Sequence, residues 1–196
     1  MIASMLTNPL LIPALACVGI LAALGLWVAL AFNGLVRRRV LVQEGWSGID
    51  VQLKRRRNLV PSLVEAVKGY AQHEQRVLEH VAELRTAAEA PQDLRSAAHT
   101  ENALTDQLKG LFALAEAYPD LKADRNFRQL MTQLADIEDQ IQYSRRYYNG
   151  AVRDYNIRVQ SFPSNLVARR FHFEPAEFFQ IETATDRSAP KVEMAP

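Results

Sequence analysis

The sequence predicts an all-α protein: one N-terminal transmembrane helix, then an antiparallel bundle of long helices, a short C-terminal helical segment and a disordered tail. Three observations lead there. No charged residue precedes Arg37, and Leu10 to Val36 is almost unbroken apolar sequence. Beyond it, apolar residues recur at alternating steps of three and four, the spacing of one helical face. No strand alternation or Gly-rich hairpin competes with that pattern.

The apolar stretch is long enough to span a bilayer. A helix needs about 20 apolar residues to cross a hydrocarbon core of ~30 Å, so Leu10–Val36 has length to spare for tilt. Helices that face water are not apolar on every side. A cleaved signal peptide would need a basic leading region, and residues 1–15 hold no Lys or Arg. Ala14-Leu15-Ala16 has the form of a cleavage site with Cys17 behind it, but the apolar run continues from Val18 to Val36. Cys17 therefore reads as an ordinary small residue in a helix. Arg37, Arg38 and Arg39 follow the span directly, which predicts a membrane-interface contact there. They also put the N-terminus outside and the body in the cytoplasm. Gly19 and Ala23 form a small-xxx-small pair suited to close packing of two spans.

Three helical seams follow. The first runs Trp46, Ile49, Leu53, Arg56, Val60, Leu63, Val67, Tyr70, Glu74, Val77, Val81, Leu84 and Ala88. Its phase is the same on both sides of Pro61, so a kink or at most a very short break is expected there, with Pro91 ending the helix. The second runs from Leu94 to Tyr118 through Glu101, Leu104, Leu108 and Leu111, with Asp93 as N-cap and Tyr118-Pro119 as stop. Asp120 or Asp124 then offers a new cap. The third runs Phe127, Leu130, Leu134, Ile137, Ile141, Ser144, Tyr148, Val152, Tyr155, Val159 and Phe162, and Pro163 closes it. The expected organisation is 1–36 for the N-terminus and span, 37–182 for the bundle and 183–196 for the tail. A short middle helix leaves apolar seam uncovered on its neighbours. Phe171, Phe173, Phe178 and Phe179, a second copy, or both must cover it.

Composition excludes several classes. A net charge of +1 gives no overall drive toward nucleic acid, and a single cysteine can form neither an internal disulfide nor a zinc site. His73-Glu74 invites comparison with a zinc helix, but Val77 stands where the second histidine must be. No cofactor, metal site or catalytic set is expected. Lys54, Arg55, Arg56 and Arg57 form the densest charge run and a candidate partner surface. It faces either solvent, a partner, or Asp136, Glu138 and Asp139 on another helix. Tyr148-Asn149 and Tyr155-Asn156 repeat at seven residues. The tyrosines should pack in the seam, while the asparagines sit beside it and could set register between helices.

Several stretches carry a distinctive residue pattern. They are Phe32-Asn33-Gly34-Leu35-Val36, Trp46-Ser47-Gly48-Ile49-Asp50-Val51-Gln52-Leu53-Lys54-Arg55-Arg56 and Asn58-Leu59-Val60-Pro61-Ser62-Leu63-Val64-Glu65-Ala66-Val67-Lys68-Gly69-Tyr70-Ala71, then His73-Glu74. They continue in Tyr118-Pro119-Asp120-Leu121-Lys122-Ala123, Asn126-Phe127, Arg145-Arg146-Tyr147-Tyr148-Asn149, Tyr155-Asn156 and Phe162-Pro163. In these stretches the sequence resembles the LemA family of bacterial membrane-anchored helical proteins, with Phe32 where the family pattern commonly has Tyr. The resemblance implies a long-helix bundle on an N-terminal anchor in the bacterial inner membrane, and no enzyme activity. The roles suggested for such proteins centre on membrane-associated signalling, stress response or scaffolding. The expected function is a non-catalytic scaffold that contacts membrane lipids and self-associates as a homo-oligomer. The alternative is a signalling or stress-response adaptor that docks a second membrane protein.

Overall fold

The computed structural model describes residues 11–70, 75–90 and 93–179. Among them every regular element is a helix: α1 (Leu11–Lys68), α2 (Gln75–Glu89), α3 (Leu94–Ala117), α4 (Pro119–Ala123), α5 (Arg125–Gln160) and α6 (Ser164–Arg170). His73-Glu74, Pro91 and the tail 183–196 lie outside the described residues. Two compact units emerge, Met1–Gln43 with Gly150–Ala176, and Glu44–Asn149 with Glu177–Pro196.

The larger unit is an up-down-up-down bundle. The Arg85 Nε–H donates to the Arg57 carbonyl, which brings α2 back alongside α1. Arg56 pairs with Glu101 on α3 and with Glu138 on α5, while Trp46 packs edge-on against Tyr148. The contacts of Trp46 and Arg56 with α5 run it antiparallel to α1, and the pairs Asn102–Arg145 and Thr105–Glu138 run α3 antiparallel to α5 and hence parallel to α1. One core joins them, built from Val60, Leu63 and Val67 of α1, Leu78 and Val81 of α2, Leu104, Leu108 and Leu111 of α3, and Phe127, Met131 and Leu134 of α5. Gly45 permits the close approach of α1 to α5, since a Cβ there would sit 3.1 Å from the Tyr148 Cα.

The first seam is two helices rather than one. α1 continues through Pro61, where burial of Val60 and Leu63 holds the turn around the lost hydrogen bond. It stops at Lys68, before Gly69 and the exposed Tyr70. A glycine inside a helix costs about 1 kcal/mol relative to Ala, so this is an inexpensive place to turn. Folding back buries Leu78 and Val81, with Leu78 rather than Val77 as the deep residue. The continuous three-four phase across residues 67–77 was therefore a coincidence of spacing. The caps behave as their side chains dictate: Asp93 accepts from the Ser96 N–H at 2.9 Å, and Asp124 from the Phe127 N–H at 2.7 Å. Tyr118, held extended ahead of Pro119, ends α3.

The smaller unit pairs the first part of α1 with the last part of α5 and with α6. Arg38 donates to the Asp154 carbonyl, and the Arg158 guanidinium lies against Gly34, so the two helices run antiparallel. Ala31, Leu35, Val152, Tyr155, Val159, Val167 and Ala168 are buried. The chain leaves α6 through a Schellman turn: the Phe173 N–H donates to the Ala168 carbonyl and the His172 N–H to the Arg169 carbonyl. His172 takes the left-handed conformation that this turn requires, φ 56°. The turn aims Phe173 at Phe32, with Phe171 beside it, at centroid distances of 5.5 and 5.0 Å. Phe162 is not a seam residue: α5 ends at Gln160 and the Phe162 ring is 79% exposed. All the side chains from Pro13 to Leu26 are exposed, and this helix is long and apolar enough to cross a membrane.

Truncating the core should separate buried from surface positions. Leu63→Ala or Leu134→Ala, both fully buried, is expected to lose about 2–5 kcal/mol in denaturant titration. Gln133→Ser, at an exposed site, should change stability by less than about 0.5 kcal/mol.

Candidate functional site

The deepest polar feature is a charge layer across the larger unit. The Arg56 side chain is wholly excluded from solvent, and Glu101 nearly so. The Arg56 guanidinium donates to the Glu101 carboxylate, to the Glu101 carbonyl at 2.9 Å, to Glu138 Oε1 at 2.7 Å and to the Thr105 hydroxyl. Arg57 donates to the other Glu101 oxygen at 2.5 Å. Arg145 donates to Asn102 Oδ1 at 3.1 Å and lies 4.9 Å over the Phe179 ring. Burial, reinforced by the Arg56 charge and opposed by Glu138 and Glu101, pushes the Arg145 guanidinium down to about 10. It is still charged at neutral pH. Every charge in the layer meets an opposite charge or an aromatic face, as ions removed from water require.

The basic run is thus divided by the helix. Arg56 and Arg57 turn into this layer, while Lys54 and Arg55 face solvent. Of the three acidic residues set opposite the run, Glu138 makes the ion pair, and Asp136 and Asp139 are exposed.

A second feature is a pair of clamps on α5, one in each unit. In the smaller unit, Tyr155 donates to the Glu174 carbonyl at 3.0 Å. Asn156 exchanges two hydrogen bonds with the Ala176 backbone, at 2.9 and 2.8 Å. In the larger unit, Tyr148 donates to the Glu177 carbonyl at 2.8 Å, and Asn149 exchanges two bonds with Phe179, at 3.1 and 2.9 Å. Each asparagine amide does for the extended segment what a neighbouring strand would do. The asparagines therefore hold the C-terminal segment and do not set helix register. Phe179 is buried against Trp46 at 5.7 Å, and Phe173 is buried on Phe32. Within each unit the segment covers the apolar seam.

After the apolar stretch, Arg37 and Arg39 are exposed and Arg38 is half-buried. Gly19 and Ala23 are exposed, with open space where a Gly19 Cβ would be. Cys17 is a free, exposed thiol. His80 is exposed beside Glu83, and no group of metal-ligating side chains forms among the described residues. An open groove at the α3–α5 corner is lined by Phe112, Ala115, Phe127 and Met131, with Glu116 and Lys122 at its edge.

The sequence profile of the LemA family matches residues 45–194. The chain belongs to the LemA family. It is 27% identical over 181 residues to magnetosome protein MamQ 2 of Paramagnetospirillum magneticum, covering 79% of this chain and 66% of that protein. It is also 27% identical over 150 residues to protein LemA of Metamycoplasma hominis, covering 76% and 68%. A further relative, magnetosome protein MamQ of Magnetospirillum gryphiswaldense, is 24% identical over 181 residues. The chain spans about two thirds of the length of these relatives. The LemA profile begins at Gly45, beyond the apolar stretch, and takes in both the charge layer and the clamps.

Two losses should report on these features. Glu101→Ala leaves Arg56 and Arg57 without their shared carboxylate and is expected to destabilise by about 3–5 kcal/mol in urea titration of the detergent-solubilised chain. Glu138→Ala, whose carboxylate is 23% exposed, should cost less. The Tyr148 clamp should also have an alkaline signature. Burial, together with the Glu177 charge, raises the Tyr148 pKa above its ordinary 10.0. The unfolded phenol then ionises first, so its stabilisation is complete below pH 10 and lost as pH rises through the raised value. The stability advantage of the wild-type chain over Tyr148→Phe should therefore shrink above pH 10.

Proposed function

We propose that the chain is a non-catalytic, membrane-anchored helical scaffold at the cytoplasmic face of the bacterial inner membrane, and that its copies associate through the membrane span. One observation carries this reading: a single helix, α1, is exposed and apolar in its first part and a core element in its second. The buried charged groups support a structural role, since they are consumed in pairing with one another. The orientation rests on Arg37–Arg39 following an uncharged N-terminus.

Self-association has a narrower basis than unequal helix lengths imply, because Phe173 and Phe179 cover the seam within the chain. What supports it is the open Gly19–Ala23 face of the span, where two helices could approach closely. The adaptor reading is favoured by Lys54 and Arg55, which remain free of the charge layer and face outward.

Protease added outside intact spheroplasts should leave the helical body whole; digestion of the body would reverse the orientation. Crosslinking in native membranes should give self-adducts that Gly19→Ile with Ala23→Ile removes. Adducts only to a second protein, lost on Lys54→Glu with Arg55→Glu, would favour the adaptor.

A further inference from the structure

Charge is unevenly divided along this chain. The unit formed by Met1–Gln43 and Gly150–Ala176 carries seven arginines against two carboxylates, Asp154 and Glu174. The rest of the chain carries sixteen basic residues against twenty acidic ones. A near-neutral protein thus has a strongly basic unit, and that unit contains the membrane span.

The same unit exposes large apolar side chains at a particular depth. Phe171 and Phe173 pack on Phe32, which lies five residues before Arg37, about 7.5 Å toward the membrane along the helix. The apolar stretch Leu10–Val36 would be about 40 Å long as a helix, roughly 10 Å more than a hydrocarbon core of ~30 Å. The surplus is where α1 meets protein: Ala31 and Leu35 are buried, and Trp27, Val28 and Phe32 half-buried. The surfaces of α6 and its flanks therefore lie at the level of the lipid interface. There Phe162 is 79% exposed, Leu166 54% and Phe171 46%. On α6, Val167 and Ala168 face inward, and Leu166 shares the outer side with Arg169 and Arg170. An apolar tip between arginines is the pattern of elements that lie in a headgroup layer.

We propose that Phe162, Leu166 and Phe171 insert into the membrane interface, with Arg169 and Arg170 on the phosphates of anionic lipids. This gives the protein a second, peripheral membrane contact beside its span. The inference rests on the membrane-anchor reading. Positive charge close to an anionic leaflet and amphipathic aromatic rings at the interface act together there. Water is the other candidate environment, and three exposed apolar side chains in a segment of ten residues are poorly suited to it.

The test uses the full chain with Cys17→Ser, reconstituted in phosphatidylcholine vesicles with and without phosphatidylglycerol. An environment-sensitive fluorophore is placed on Leu166→Cys, and on two reference variants, Leu24→Cys in the span and Thr132→Cys on the bundle. All three sites are solvent-exposed or partly so, and circular dichroism checks that each variant keeps its helix content. Lipids spin-labelled high on the acyl chain should quench the Leu166 and Leu24 probes and leave the Thr132 probe unquenched. Arg169→Glu with Arg170→Glu should reduce quenching at Leu166 in the phosphatidylglycerol vesicles and leave Leu24 unchanged. Quenching at Leu24 without quenching at Leu166 would overturn this proposal and keep the anchor. Loss of quenching at both would overturn the anchor itself. A blue-shifted but unquenched Leu166 probe would show a protein surface there, and would equally refute lipid contact.

Discussion

Removing a guanidinium from water costs several kcal/mol unless carboxylates meet it with good geometry, and Arg56 is removed completely. That requirement disciplines the larger unit. Glu101 must reach Arg56 from α3, Glu138 from α5, and Arg57 must turn inward to share Glu101. A heptad seam of leucines and valines tolerates sliding by a whole repeat at modest cost, because one apolar contact resembles the next. A charge layer does not, since each slipped register would bury an unpaired ion. The apolar seams supply the stabilisation, and the Arg56 layer selects which alignment receives it.

The extended C-terminal segment works on a different principle. It has no sheet to join, yet its backbone groups at Ala176 and Phe179 are met by the side-chain amides of Asn156 and Asn149. Buried backbone polar groups must find partners, and an amide side chain offers a donor and an acceptor at the spacing a peptide presents. The tyrosines one position earlier add a phenol donor to each clamp. With its polar groups satisfied, the segment can press Phe173 and Phe179 into apolar seam. Otherwise that seam would need a partner from outside the chain.

Much of this fold was legible in the chain. The long apolar helix, Asp93 as a cap, Asp124 as one of two candidate caps, the stop at Tyr118-Pro119 and nearly every buried residue of the second and third seams follow from local rules. Arg56 and Glu101 were also legible as seam positions, each a charged exception in an apolar series. Two exceptions of opposite sign in neighbouring seams are natural partners for each other. The turn after Lys68 was hidden for a different reason. The three-four spacing happens to continue across it, and no local residue forbids a helix there as a proline would. Phe162 falls on the third seam by spacing, but spacing alone does not register that the helix has ended two residues earlier.

The sequence by itself determined the helical class, the long apolar first part of α1 and the inward faces, because periodicity, caps and apolar length act over a few turns of chain. It also marked Tyr148-Asn149 and Tyr155-Asn156 as a repeat. Only the tertiary structure decided what that repeat holds, which arginines of the basic run are buried, and that α6 sits beside the first part of α1. Those outcomes depend on which groups far apart in the chain come within a few ångströms of each other. Hydrogen bonds and ion pairs act at that range, and spacing along a single helix does not encode it.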